Sequence, residues 1–226
     1  MTDKHTAAAR AARPMPTRRI RLPRQPFQII RGNLRAYLAM NALVYGLVAV
    51  GFVAGLTIPE LRAARGAALE ENGTAELVLS LLDKPWLFAL TIFAVNTLTA
   101  AAAQILLPSL IVPFAGVAVF AYRTFVLGLT LAPTDSANAI ALVPHSLTIL
   151  VEFQAYVLLM LGAYLLGRAW LRPRLVGAPN RRQGYLHGLR QIGWLSLPAL
   201  ALFVVGALYE AFSLAYLVPV LIRSWG

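Results

Sequence analysis

Ala36 to Ile58 is a run of 23 residues without one charged side chain. As a helix it would rise about 35 Å, more than the roughly 30 Å of a bilayer's hydrocarbon core. A surface helix of a soluble domain carries a charged or polar face, and this run has no charged residue at all. Further apolar runs follow, and the sequence predicts spans over about 36–58, 86–107, 109–131, 141–167 and 192–222. The expected fold class is an all-α, polytopic bundle of five transmembrane helices. Composition agrees: 59% of the residues are hydrophobic and only 13% are charged, where a soluble domain has about 25% charged residues.

The stretches between the spans add detail. Residues 1–35 are rich in Arg and Pro and are expected to form a disordered basic segment, ahead of a transmembrane domain over 36–226. Residues 59–85 show Leu and Ala at helical spacing, which predicts two short amphipathic helices at the membrane surface. A very short link at Pro108 is expected between the second and third spans. The fifth predicted span has 31 residues, so it must tilt, kink at Pro198 or Pro219, or end in a surface segment.

The formal net charge of +11 has a local origin. Residues 1–35 hold nine Lys or Arg against one acid, and residues 168–191 hold six Arg and no acid, fifteen of the 20 cationic side chains. Nucleic-acid binding needs a folded basic module with a reading element. These blocks flank apolar spans instead, so no nucleic-acid partner is expected. The positive-inside rule puts the N-terminus in the cytoplasm, the acidic 59–85 stretch outside and the Arg-rich loop inside. Five spans then leave the C-terminus outside. The Arg-rich segments can meet anionic lipid or cytoplasmic proteins. Cys is absent, which excludes disulfides and thiolate metal sites. Abundant Ala, with Arg far above Lys, points to a bacterial chain and hence to the inner cell membrane.

Ionisable residues inside a span are costly unless they face the bundle and find partners. The candidates are Arg123, His145, Glu152 and Glu210, with Asn41, Asn96, Gln104 and Gln154 as uncharged companions. With the orientation above, Arg123 lies about eight residues from the outer surface, His145 about four and Glu152 about eleven, and Glu210 falls near the outer end of the last span. All four belong to the outer half. His145 and Glu152 are two helical turns apart on one face, roughly 10 Å from each other. Arg123 is expected to pair with Glu152, Glu210 or both, with His145 in the same cluster. Asn41 and Asn96 suit hydrogen-bonded glue between helices. Pro144 suits the first turn of the fourth span.

Catalytic signals are thin. No HExxH is present, a single His lies within the spans, and Ser146 beside His145 points away from it on a helix. No cofactor or metal is implied. The polar cluster is compatible with a partner surface, a polar transport pathway, helix–helix locking or an intramembrane hydrolase.

The order of features brings in a resemblance. "FAVNTLTAAAAQILL", "AYRTFVLGLTLA", "LVPHSLTILVEFQAYVLLMLGAYLLG" and a late "GALYEAF" follow one another over about residues 86–213. This succession resembles the stage II sporulation protein M family of integral membrane proteins. Pro144–His145 with Glu152, and Glu210–Ala211–Phe212, carry most of it. The chain has Asn96–Thr97 where the family often has paired Asn, Arg123–Thr124 where it often has Asn–Gly, and Ser146 after the Pro-His where Gly is common. The resemblance implies a non-enzymatic membrane scaffold or accessory subunit that organises partner proteins of the cell envelope. A transporter or permease subunit using the His/Glu/Arg cluster is the alternative reading.

Overall fold

A computed structural model describes residues 24–71 and 73–225. The described residues form helices α1 (Arg24–Gly32), α2 (Leu34–Thr57), α3 (Pro59–Glu71), α4 (Thr74–Leu81), α5 (Pro85–Ile111), α6 (Ala115–Leu131), α7 (Ser136–Leu171) and α8 (Arg181–Trp225), with a short 3-10 turn at Pro173–Val176. They contain no strand. Four helices, α2, α5, α7 and α8, are long and apolar enough to cross a membrane, while α6 is apolar but has only 17 residues. Trp86, Leu90, Leu98, Ile111 and Tyr122 stand on the outer surface. Such an apolar exterior is stable against lipid and a liability in water.

Helix α7 is the core. In its most apolar window 72% of the residues are buried, against 33% or less in the other three long helices. Tyr156 of α7 lies between Phe120 of α6 and Phe203 of α8, with ring centroids 4.6 and 4.8 Å away. Each such aromatic pair adds about 0.5–1.5 kcal/mol beyond its buried area.

Small residues let the helices close. In lipid, association depends on packing rather than on escape from water, so close backbone approach matters. A methyl group at Gly51 of α2 would strike the Phe125 carbonyl oxygen, and one at Gly128 of α6 would strike that of Val48. Gly184 and Gly188 do the same for α8 against Ala169 and Leu166 of α7.

A polar seam joins α2 to α7. Tyr37, Asn41 and Tyr45 recur every four residues on one face of α2. All three engage Gln154: its Oε1 accepts from Tyr37 Oη at 2.7 Å, and its Nε2 donates to Asn41 Oδ1 and Tyr45 Oη at 2.8 Å each. Tyr45 Oη then donates to the Leu150 carbonyl at 3.2 Å. Asn41 is thus the interhelical glue that its position suggested.

Several boundaries differ from the sequence reading, for local reasons. The segment expected to be disordered over 1–35 is helical from Arg24, and residues 1–23 lie outside the described residues. Pro26 falls in the first turn of α1, where a missing N–H costs nothing. Pro108 is not a link. It sits inside α5, and the chain turns at 112–114, so the next helix starts at Ala115 rather than at 109. Phe114 takes a left-handed backbone (φ 67°) there and packs its ring on Gly167. Pro144 does not begin its helix either. α7 starts at Ser136, because Asp135 caps it by accepting from Asn138 N at 2.8 Å. The Arg-rich loop predicted over 168–191 shrinks to 172–180, since α7 continues to Leu171 and Asn180 caps α8 by accepting from Gln183 N at 2.9 Å.

Overpacking a close helix crossing costs about 1–3 kcal/mol. Gly128→Val should therefore lower the thermal midpoint of the detergent-solubilised protein by several degrees. Gly46→Ala, where nothing lies within 4 Å, should leave it unchanged. Equal midpoints for the two variants would contradict the α2–α6 crossing.

Candidate functional site

Four helices bring the predicted polar residues to one recess. His145 and Glu152 come from one face of α7. Glu210 comes from α8, one turn beyond Gly206. Arg123 comes from α6. Asn96 comes from α5, where α-helical turns give way to the wider π-helical turns of Val95–Leu106. Such turns change which side chains face the bundle and recur at functional sites. The recess encloses about 330 Å³. Its polar rim is Asn96, Arg123, His145, Thr148, Glu152 and Glu210, and its apolar wall includes Phe88, Ile92 and Phe153.

The pairing inside differs from the expectation. Glu152 is buried, and its Oε1 accepts from Asn96 Nδ2 at 2.7 Å. The carboxylate rests on the backbone of Gly206, where an added Cβ would come within 2.5 Å of Glu152 Cγ. His145 Nδ1 stands 3.7 Å from Glu210 Oε1, an ion-pair separation when the imidazole is protonated. The direct ion pair expected between Arg123 and Glu152 or Glu210 is not made. Among the described residues no carboxylate lies within 4 Å of the guanidinium, and its buried Nε has no hydrogen-bond partner. The physical reason is helix register: α5 brings Asn96 to Glu152, and α7 brings His145 to Glu210. The hydroxyl of Thr148, almost fully buried, also lacks a partner.

A second cavity of about 340 Å³ adjoins the first and shares His145 and Leu131 with it. Arg62 and Arg65 of α3 lie across it. Arg62 Nη1 donates to the Pro133 carbonyl at 3.1 Å, and Arg65 Nε donates to Thr130 Oγ1 at 3.3 Å. His145 and Leu131 thus stand between this second cavity, a vestibule, and the recess.

Not every polar residue joins. Asn41 and Gln154 belong to the α2–α7 seam, and the buried Oε1 of Gln104 has no partner. Ser146 donates to the Val143 carbonyl at 2.7 Å and is exposed, away from the recess. Among the described residues no three His, Cys, Asp or Glu gather closely enough to hold a metal. Sequence reasoning missed Thr148, Gly206 and the α3 arginines. Gly206 carried a signal, since it stands four residues before Glu210 on the same face. Thr148 carried one too, lying between His145 and Glu152.

No family model, curated protein or solved structure matches this chain.

The contact between Asn96 and Glu152 can be measured by a double-mutant cycle with Asn96→Leu and Glu152→Leu. Hydrogen bonds to charged groups contribute about 1.5–3 kcal/mol and interhelical ones in membranes somewhat less, so a coupling of about 1–2 kcal/mol is expected in reversible denaturation. Additive losses would place the two side chains apart.

Proposed function

We propose that the chain is a non-enzymatic accessory subunit of the bacterial cell membrane, whose recess receives a polar group from a partner protein. The observation that carries this is the unpaired Arg123. Leaving a cation half-buried without a carboxylate is expensive in a low-dielectric bundle. A partner side chain that completes the site offsets that expense, whereas a purely structural ion pair would have closed it already. The resemblance to the stage II sporulation protein M family points the same way, to a membrane scaffold for envelope proteins.

The proposed topology has five crossings, with a cytoplasmic N-terminus and the recess in the outer half. Parity supports it. Arg168 at the end of α7 donates to Asn33 ahead of α2, at 3.2 Å, so those two ends share a side. An even number of crossings must separate them. Helices α2, α5, α6 and α7 make four if α6 crosses and three if it does not. Tyr185 at the start of α8 donates to the Leu110 carbonyl at the end of α5, at 3.2 Å, which fits the same count. Helix α6 is about 26 Å long and can cross where its neighbours shield its ends. Both basic blocks then face the cytoplasm.

One observation favours a second reading. The recess and the vestibule meet at His145, an arrangement a permease subunit could use as a polar pathway.

Extraction in mild detergent followed by mass spectrometry separates the two. The accessory reading expects a stoichiometric partner that is lost in Arg123→Gln while the bundle stays folded. A protein that purifies alone, with solute flux in liposomes lost in Glu152→Gln, would replace it with the permease reading. A reporter fused after Gly226 should behave as external, and a cytoplasmic signal would refute five crossings.

A further inference from the structure

The two basic blocks, far apart in sequence, meet at one place. Helix α1 ends at Gly32, Asn33 breaks the backbone (φ −130°), and α2 starts at Leu34. Asn33 is held on both sides: its Nδ2 donates to the Ile29 carbonyl at 3.0 Å, and its Oδ1 accepts from Arg168 Nη2 at 3.2 Å. Around this hinge opens a cleft of about 580 Å³, lined by Arg31, Arg35 and Arg168, with Met40 and Tyr164 behind them.

The cleft is cationic without compensation. None of its lining residues is acidic. Among the described residues no carboxylate comes within 4 Å of the three guanidiniums. Arg168 Nε is buried and has no hydrogen-bond partner. Arg31 leans over the ring of Phe27, 5.5 Å from its centroid, which orients the side chain but does not neutralise it. Three like charges around one opening repel each other. A bound anion removes that repulsion. Phosphate is the anion whose oxygens match the forked donors of guanidinium groups.

The position selects the source of the phosphate. The cleft lies where an apolar helix begins, at the level of a bilayer's headgroups. Leu34 lines it, and Leu38, one turn further along α2, is exposed beside it. Phe27 of α1 is exposed as well. A lipid can seat its phosphate among the arginines and run its chains down the apolar face of α2, which free phosphate cannot do. We propose that this cleft is a binding site for the headgroup phosphate of an anionic lipid. The inference does not depend on what the outer recess binds.

The test reconstitutes the full chain in nanodiscs of equal parts phosphatidylglycerol and phosphatidylcholine, then counts retained lipids by native mass spectrometry. Retention of phosphatidylglycerol over phosphatidylcholine is expected. Each charge-assisted contact is worth about 1.5–3 kcal/mol, so Arg35→Gln with Arg168→Gln should weaken retention at least about tenfold. Arg182→Gln, in the same basic block but outside the cleft, should leave it intact. Asn33→Asp removes no arginine but adds an anion to the cleft. It should also reduce retention, which keeps the proposal testable if the double variant misfolds. Equal retention of the two lipids, equal loss in Arg182→Gln, or undiminished retention in Asn33→Asp would overturn the site. Displacement of the lipid by millimolar inorganic phosphate would overturn the lipid as its source.

Discussion

Inside a bilayer a polar group has no water to fall back on, so it must find its partner within the bundle. The rest of this structure depends on how one helix, α7, meets that demand. Its apolar residues form the core. Its few polar ones are distributed by side: Gln154 faces α2 and is satisfied by three side chains there. Glu152 faces the other way and takes its hydrogen bond from Asn96. His145, two turns above, reaches Glu210 of α8. Gln154, Glu152 and His145 therefore each specify a neighbour. An apolar α7 could turn or slide against α2, α5 and α8. This one has three helices keyed to named positions.

The two ends of the bundle differ in kind. Towards one end the charges are mixed, two carboxylates with an imidazole and a guanidinium, around a recess covered by α4 and adjoining the vestibule under α3. At the other the charges are all of one sign around an open cleft. The mixed set suits a small polar group that can both donate and accept. The single-sign set suits an anion. Small residues shape the bundle at both ends. Gly206 makes the space that Glu152 occupies, and Gly167 makes the space for Phe114 at the α5–α6 turn.

Much of this was legible in the residues. Uncharged run length revealed the helices, because hydrophobic length is a direct physical requirement for spanning lipid. Spacing and depth placed Arg123, His145, Glu152 and Glu210 in one cluster, with Asn96 as an uncharged companion. Boundaries were less legible. Apolar onset marked where lipid contact begins, but Asp135 and Asn180 start their helices earlier, in polar sequence, by capping. Pro108 and Pro144 read as breaks, yet both are carried inside long helices by packing. Pairing was least legible. Opposite charge suggested Arg123 with a glutamate, and only the helix register, altered by the π-helical turns of α5, decides that Asn96 reaches Glu152 instead. Tyr37 and Tyr45 escaped notice because an aromatic in a span ordinarily reads as core or membrane-interface filler.

Helix α7 passes through the middle of the bundle, from the vestibule at one end to the arginine cleft at the other. The chain has no Cys, so single-cysteine labelling along α7 measures this directly. With a membrane-impermeant maleimide applied to right-side-out vesicles, Ala141→Cys, at the vestibule, should react. Ala155→Cys and Ala163→Cys, both fully buried, should stay unlabelled from either side. Leu171→Cys should react only in inverted vesicles. Labelling of positions 155 or 163, or of 141 and 171 from the same side, would contradict this course of α7.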